Sequence, residues 1–182
     1  MKYFTKSMWR GSQQAGILHV ENHLQYQRAF ESYRVNLDDL RPRVGDSVWD
    51  FFANIDVHDA ELLDLRIVDG SRPAPLGEPA RPWQCITTYP VRVELTLLDA
   101  FDQYVWRLWY SAVRLVLIDF PSDDPLLGSD GGFEDLGYHE LTDAGGGFLR
   151  HEMLFSTGAV VAFEFKQVGI ASTPARGVGP QQ

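Results

Sequence analysis

Between residues 19 and 37, His19, His23, Tyr26, Phe30, Tyr33 and Leu37 recur at alternating steps of four and three. That spacing lines one face of an α-helix. A second apolar patch, Ile17, Val20 and Leu24, falls on the opposite side of the first turns, so the helix is expected to be covered on two sides there. Pro42 and Gly45 are expected to end it. Asp46-Ser47 can then cap a short helix carrying Val48, Trp49, Phe51 and Phe52.

From Ala60 onward the period changes to two. Leu63, Leu65 and Ile67 alternate with Asp64 and Arg66, and Val91, Val93, Leu95 and Leu97 alternate with Arg92, Glu94 and Thr96. Both runs read as strands with one wet face. Residues 104–110 and 113–120 are apolar on both faces and read as central strands. The stretches 137–141, 148–155 and 159–165 are separated by glycine-bearing turns that supply the positive φ of tight hairpins, and 168–171 adds a short final strand. Links this short favour antiparallel neighbours. The expected fold is α+β: one domain over residues 1–170, with amino-terminal helices packed on a mainly antiparallel meander of about six or seven strands. Residues 171–182 are expected to form a disordered tail. Two long links interrupt the meander, one Pro-rich (Pro73, Pro75, Pro79, Pro82) and one acidic (Asp123, Asp124, Asp130, Glu134, Asp135).

Composition supports a true core: 45% of the 182 residues are hydrophobic and five are Trp. A net charge of −9 disfavours nucleic acid and anionic membranes, whose binding draws on Lys and Arg, and leaves a basic protein partner open. The single cysteine, Cys85, makes neither an internal disulfide nor a Cys-based zinc site. The lack of an apolar run after the first six residues argues against a signal peptide. Cytoplasm is the expected compartment.

Candidate chemistry centres on the histidines. His19 and His23, four apart on a helix, can share a metal ion. Glu21, however, stands one place late for a zincin general base, and the His-x-Glu of zinc deaminases lacks its Pro-Cys-x-x-Cys partner. The other reading is imidazoles facing the core. His58-Asp59, with Asp56 and Glu61 beside them, is either a base or ligand pair, or a turn. In the turn, Asp59 accepts a backbone N–H and His58 packs on Trp49 or Phe52. His139-Glu140 and His151-Glu152 lie on two arms of one hairpin, with position 139 facing about position 150 or 151. They are a cross-strand pair, or the polar outer face of the hairpin. The acidic link lacks the calcium-loop spacing, and no phosphate loop or nucleophile elbow occurs. No cofactor is expected.

The run 104–110 stands out. Tyr104, Trp106, Leu108 and Tyr110 share one face, and Val105, Arg107 and Trp109 the other. Exposed Trp and Tyr anchor protein interfaces, so Tyr104, Trp106, Arg107, Trp109 and Tyr110 are candidate binding residues, joined by His58 and Asp59. The alternative is a central strand buried on both sides.

Two segments carry a resemblance. The opening Met1-Lys2-Tyr3-Phe4-Thr5-Lys6, followed by a Trp-bearing helical segment, resembles a family of uncharacterised bacterial proteins. His58-Asp59-Ala60-Glu61-Leu62-Leu63 and the strands that follow resemble small β-rich proteins grouped with bacterial toxin-immunity families. The resemblance implies a bacterial origin and a binding role, and transfers no catalytic residue. Two functions follow as expectations: a non-catalytic interaction protein, of immunity type, that binds a basic partner; or a small metal-dependent hydrolase built on a His/carboxylate cluster.

Overall fold

The computed structural model describes residues 1–13, 18–70, 90–120 and 132–175. Helices α1 (Lys6–Gln13), α2 (Leu18–Val44) and α3 (Asp46–Asn54) come first. Strands β1 (Ala60–Asp69), β2 (Val91–Leu98), β3 (Tyr104–Ser111), β4 (Leu115–Asp119), β5 (Asp135–Gly145), β6 (Phe148–Phe155), β7 (Val160–Phe165) and β8 (Gln167–Pro174) follow. The expected α+β fold is present, with eight strands in one antiparallel sheet among the described residues. The Pro-rich stretch 71–89, Cys85, residues 121–131 and Ile17 lie outside the described residues.

Written as a row, the sheet order is β4-β7-β6-β5-β1-β2-β3-β8. The two ends of that row are joined. Only Lys166 separates β7 from β8, and residues 112–114 separate β3 from β4. β3 pairs with β8 while β4 pairs with β7, so two long strands run side by side and bend together. Lys166 N–H donates to the Ser111 carbonyl at 3.2 Å and Arg114 N–H to the Glu164 carbonyl at 2.8 Å, carrying the ladder around the bend. The sheet therefore curls until its ends meet, as in a barrel.

Its inner face is apolar because alternation puts Val93, Leu95 and Leu97 of β2, Leu108 and Tyr110 of β3, and Val161, Phe163 and Phe165 of β7 inside. From the helices come Tyr33, Leu37 and Leu40 of α2 and Phe51 and Phe52 of α3. The aromatic stripe on α2 is thus graded. His23 and Phe30 are exposed, Tyr26 half-buried, and Tyr33 and Leu37 buried. Leu24, in the second patch, is exposed as well.

Several expectations are corrected. Pro42 does not end α2. It sits inside the last turn, and Gly45 (φ 82) stops the helix three residues later, donating its N–H to the Arg41 carbonyl at 3.0 Å. Asp46 does not cap α3, because its carboxylate accepts from Arg41 Nε at 2.8 Å; Gly45 holds the cap position instead. The 113–120 strand is not central. β4 pairs on one side only among the described residues, and Leu115, Leu117, Ile118 and Phe120 are exposed. β8 continues to Pro174, paired with Tyr104, four residues into the segment expected to be disordered.

The amino-terminal segment covers the outer face of β5 and β6. Glu140 and Glu152 lie directly opposite each other there, a repulsive arrangement unless both carboxylates are occupied. They are. The Glu140 carboxylate, 1% exposed, accepts the backbone N–H groups of Lys2, of Tyr3 at 2.8 Å and of Phe4 at 3.2 Å. Glu152 takes the Met1 amino group at 2.7 Å and Arg150 Nε at 3.0 Å. Beyond them Trp9 of α1 packs on Leu154 and Val160. Replacing Glu140 with Ala strips three donors of one buried, charged acceptor. Urea unfolding should show a loss of about 2–4 kcal/mol, and a loss below about 0.5 kcal/mol would show that Glu140 does not hold this segment.

Candidate functional site

Two places gather the residues singled out from sequence: the inner end of the barrel beneath α3, and the outer face of β1, β2, β3 and β8.

The inner cluster is a line of three polar side chains. The Tyr110 hydroxyl, on β3, lies 2.6 Å from His151 Nδ1 on β6. His151 Nε2 lies 3.4 Å from His139 Nδ1 on β5. In the sheet row β3 and β6 stand four places apart, so the Tyr110–His151 bond spans the seam where the sheet closes. Phe163 and Phe165 flank Tyr110, at ring distances of 5.0 and 4.8 Å. Phe52 stacks on His139 at 5.1 Å and meets His151 edge-on at 4.9 Å.

The two histidines therefore do not form the polar outer face of a hairpin. They face inward, and their neighbours Glu140 and Glu152 take the outer side. Nor are they directly opposite each other. A bulge between Asp143 and Gly145 shifts the register, so that His139 faces Met153 and His151 faces Leu141. The rings meet along the diagonal.

Burial decides their charge. It pushes His151 well below the usual imidazole value, helped by neighbouring His139, and lowers His139 to about 4, against a weaker upward pull from Asp56. It also pushes the Tyr110 phenol well above its ordinary value. At neutral pH all three groups are uncharged.

A cavity of about 230 Å³ opens beside this line, between α2, the link after α3, and β5. Tyr26, Phe30, Phe52 and Tyr138 give it aromatic walls, with His139 among them and Asp56 and His58 on the link. His58 packs on Trp9 at 5.8 Å and Tyr138 at 6.1 Å, not on Trp49 or Phe52, because its link runs against α1 and β5. Its Nδ1 lies 2.8 Å from Asp59 Oδ1. The backbone N–H in this turn is accepted by Asp56 (from His58 N, 2.9 Å) and not by Asp59. Asp59 instead donates its own N–H to the Leu136 carbonyl at 2.8 Å, with φ 61.

The His19–His23 metal alternative lies partly outside the described side chains. The side chain of His19 is outside the described ones, while His23 is exposed and bonded to Gln27 at 3.0 Å. Among the described residues no group of three or more His, Cys, Asp or Glu side chains is placed to share an ion.

The aromatic strand is divided between two environments. β3 lies between β2 and β8. Tyr110 is buried, and Trp106 tucks beneath α3, 5.1 Å from Phe51. On the outer face, a row across four strands reads Arg66, Glu94, Trp109, Gly169, and the next row reads Asp64, Thr96, Arg107, Ala171. The Trp109 indole crosses directly over Gly169, where an added Cβ would lie 2.2 Å from the ring, so a residue without a side chain is required there. These rows line a groove of about 570 Å³. At one end of β2 and β3 is their connecting turn, where Phe101 is 80% exposed; Tyr104, which follows it on the face of Trp106, is 44% exposed. Asp99 fixes that turn, accepting the N–H groups of Gln103 at 2.7 Å and Tyr104 at 3.1 Å. Phe101 was missed from sequence. A lone Phe in a turn flanked by aspartates was the available signal.

No family model matches the chain, and neither does any of the curated proteins or solved structures compared with it. No helix among the described residues is long and apolar enough to cross a membrane.

The neutral histidines make stability depend on pH. A histidine with a depressed folded pKa takes up its proton first in the unfolded chain. Its stabilising contribution is complete above about pH 6.5 and is lost as pH falls towards the folded value near 4. His139 alone should cost about 2 kcal/mol by pH 5, and His151 adds to it. Urea unfolding at pH 7 and pH 5 measures this, and equal stability at the two would refute the neutral pair.

Proposed function

We propose that the chain is a non-catalytic interaction protein that engages a basic protein partner through the β2–β3 turn and the adjoining outer face of the sheet. The observation that carries this reading is Phe101. A single exposed aromatic is ordinary by itself; Phe101 is distinguished by its place on a turn that the Asp99 carboxylate holds. A rigid aromatic projection between Asp99 and Asp102 is suited to an apolar pocket ringed by cations.

Arg107 and Trp109 continue the surface, whereas Trp106 and Tyr110 support it from inside and below; Tyr104 shares their face of β3 and is exposed at its end. The groove itself mixes charges, with Arg66 paired to Asp64 at 2.6 Å. The preference for a basic partner therefore rests on the acidic turn and the whole-chain charge of −9, which would steer a cationic protein to this face. The resemblance to toxin-immunity proteins supports a cationic toxin domain as that partner, with blockade as the mechanism and a bacterial cytoplasm as the setting.

Capture on the immobilised chain from host lysate tests the proposal, with Phe101→Ser and Trp109→Ala alongside. The expected result is one basic protein whose recovery falls at least about tenfold with Phe101→Ser, the scale of a hot-spot aromatic, and falls further as salt rises. Recovery of no protein, or equal recovery by all three chains, would contradict it.

A further inference from the structure

The cavity beneath α3 has a property that does not depend on any protein partner. Of the polar side chains that line it, His139 has a fixed hydrogen-bonding direction, and the line behind it sets that direction. Tyr110 is a neutral phenol in the core, and its hydroxyl makes a single side-chain hydrogen bond among the described residues, to His151. If His151 Nδ1 carried the proton, the phenolic O–H would point into apolar surroundings without an acceptor, a penalty of about 1–3 kcal/mol. The satisfied arrangement has Tyr110 donating to Nδ1. His151, being neutral, then carries its proton on Nε2 and donates to His139 Nδ1. His139, also neutral, is left with its proton on Nε2, the ring nitrogen without a hydrogen-bond partner among the described residues. His139 thus brings an N–H donor of fixed direction to a cavity with aromatic walls, which Asn54, Asp56 and His58 also line.

Each feature narrows the ligand. An N–H donor calls for an acceptor atom. Tyr26, Phe30, Phe52 and Tyr138 favour a ring. A neutral imidazole with a carboxylate nearby disfavours an anion. Dry cavities of about 150 Å³ take up benzene, so about 230 Å³ holds one substituted ring. We infer that this cavity binds a small uncharged ring compound that accepts a hydrogen bond from His139 Nε2–H. Phe30, 41% exposed where it lines the cavity, is the wall such a ring would cover.

Benzamide, toluene and benzoate are the probes, titrated into the isotope-labelled chain while backbone amide resonances are followed. Benzamide offers ring and acceptor, toluene the ring alone, and benzoate the same shape with a negative charge. Saturable benzamide shifts should map to residues 52–58 and 137–139. Affinity should exceed that for toluene by about threefold to tenfold, the worth of one hydrogen bond, with benzoate the weakest. His139→Phe should bring the benzamide-to-toluene ratio within about twofold of one. If that variant does not fold, Phe30→Ala, altered at an exposed ring, should weaken both neutral probes together and preserve their ratio. Absence of saturable shifts with benzamide, toluene binding equal to benzamide, or a preference for benzoate would each overturn the inference.

Discussion

The hydrogen bond from Tyr110 to His151 is the constraint on which the rest of this molecule turns. It joins β3 to β6 across the seam where the curled sheet closes. In doing so it places a phenol and two imidazoles in an otherwise apolar interior. A buried hydroxyl must be satisfied, and here its acceptor is a ring with a second nitrogen to satisfy in turn. One demand passes to the next until it reaches His139 and the cavity. The core's polar line therefore has a direction, and the direction is a consequence of packing. Burial keeps both imidazoles uncharged, and their neutrality is what gives each ring one donor and one acceptor.

The outer face follows a different logic. The inner surface of the sheet is filled by its own side chains and by α2 and α3, and the outer side of β5 and β6 is covered by the amino-terminal segment held on Glu140. The outer side of β1, β2, β3 and β8 carries mixed charges, a half-buried Trp109 lying across Gly169, and an aromatic turn fixed by Asp99. A face that the described residues leave uncovered is ordinary in an antiparallel sheet. A projecting Phe101 on a fixed turn is not, and that contrast separates a solvated surface from a candidate interface.

Much of the fold was legible in the sequence because alternation reports a half-buried strand directly; β2, with Val93, Leu95 and Leu97 inward, is the plainest case. It failed where that premise failed. β4 is apolar on both faces, which reads as central, yet hydrophobicity does not say which backbone edges are paired, and β4 stands at an end of the row. On β5 and β6 both faces are covered, so Glu140 and Glu152 no longer mark a wet side and the histidines beside them fall inside. The His139–His151 meeting was visible as a possibility, but a one-residue bulge decided its geometry. Tyr110 as the origin of the line was not legible, since it depends on closure between strands far apart in the chain. The candidate interface was half legible: Arg107 and Trp109 belong to it, whereas Trp106 and Tyr110 face inward and Tyr104 shares their side of the strand. Phe101 was passed over because a turn residue has no periodicity to betray it.

The most direct test of this account is the protonation state of the two inward histidines. Long-range proton–nitrogen correlation spectra of the folded chain at pH 7, assigned with single-histidine variants, distinguish imidazolium from each neutral tautomer. The account predicts that both His151 and His139 are neutral with the proton on Nε2. A charged ring at either position, or a proton on His151 Nδ1, would contradict it.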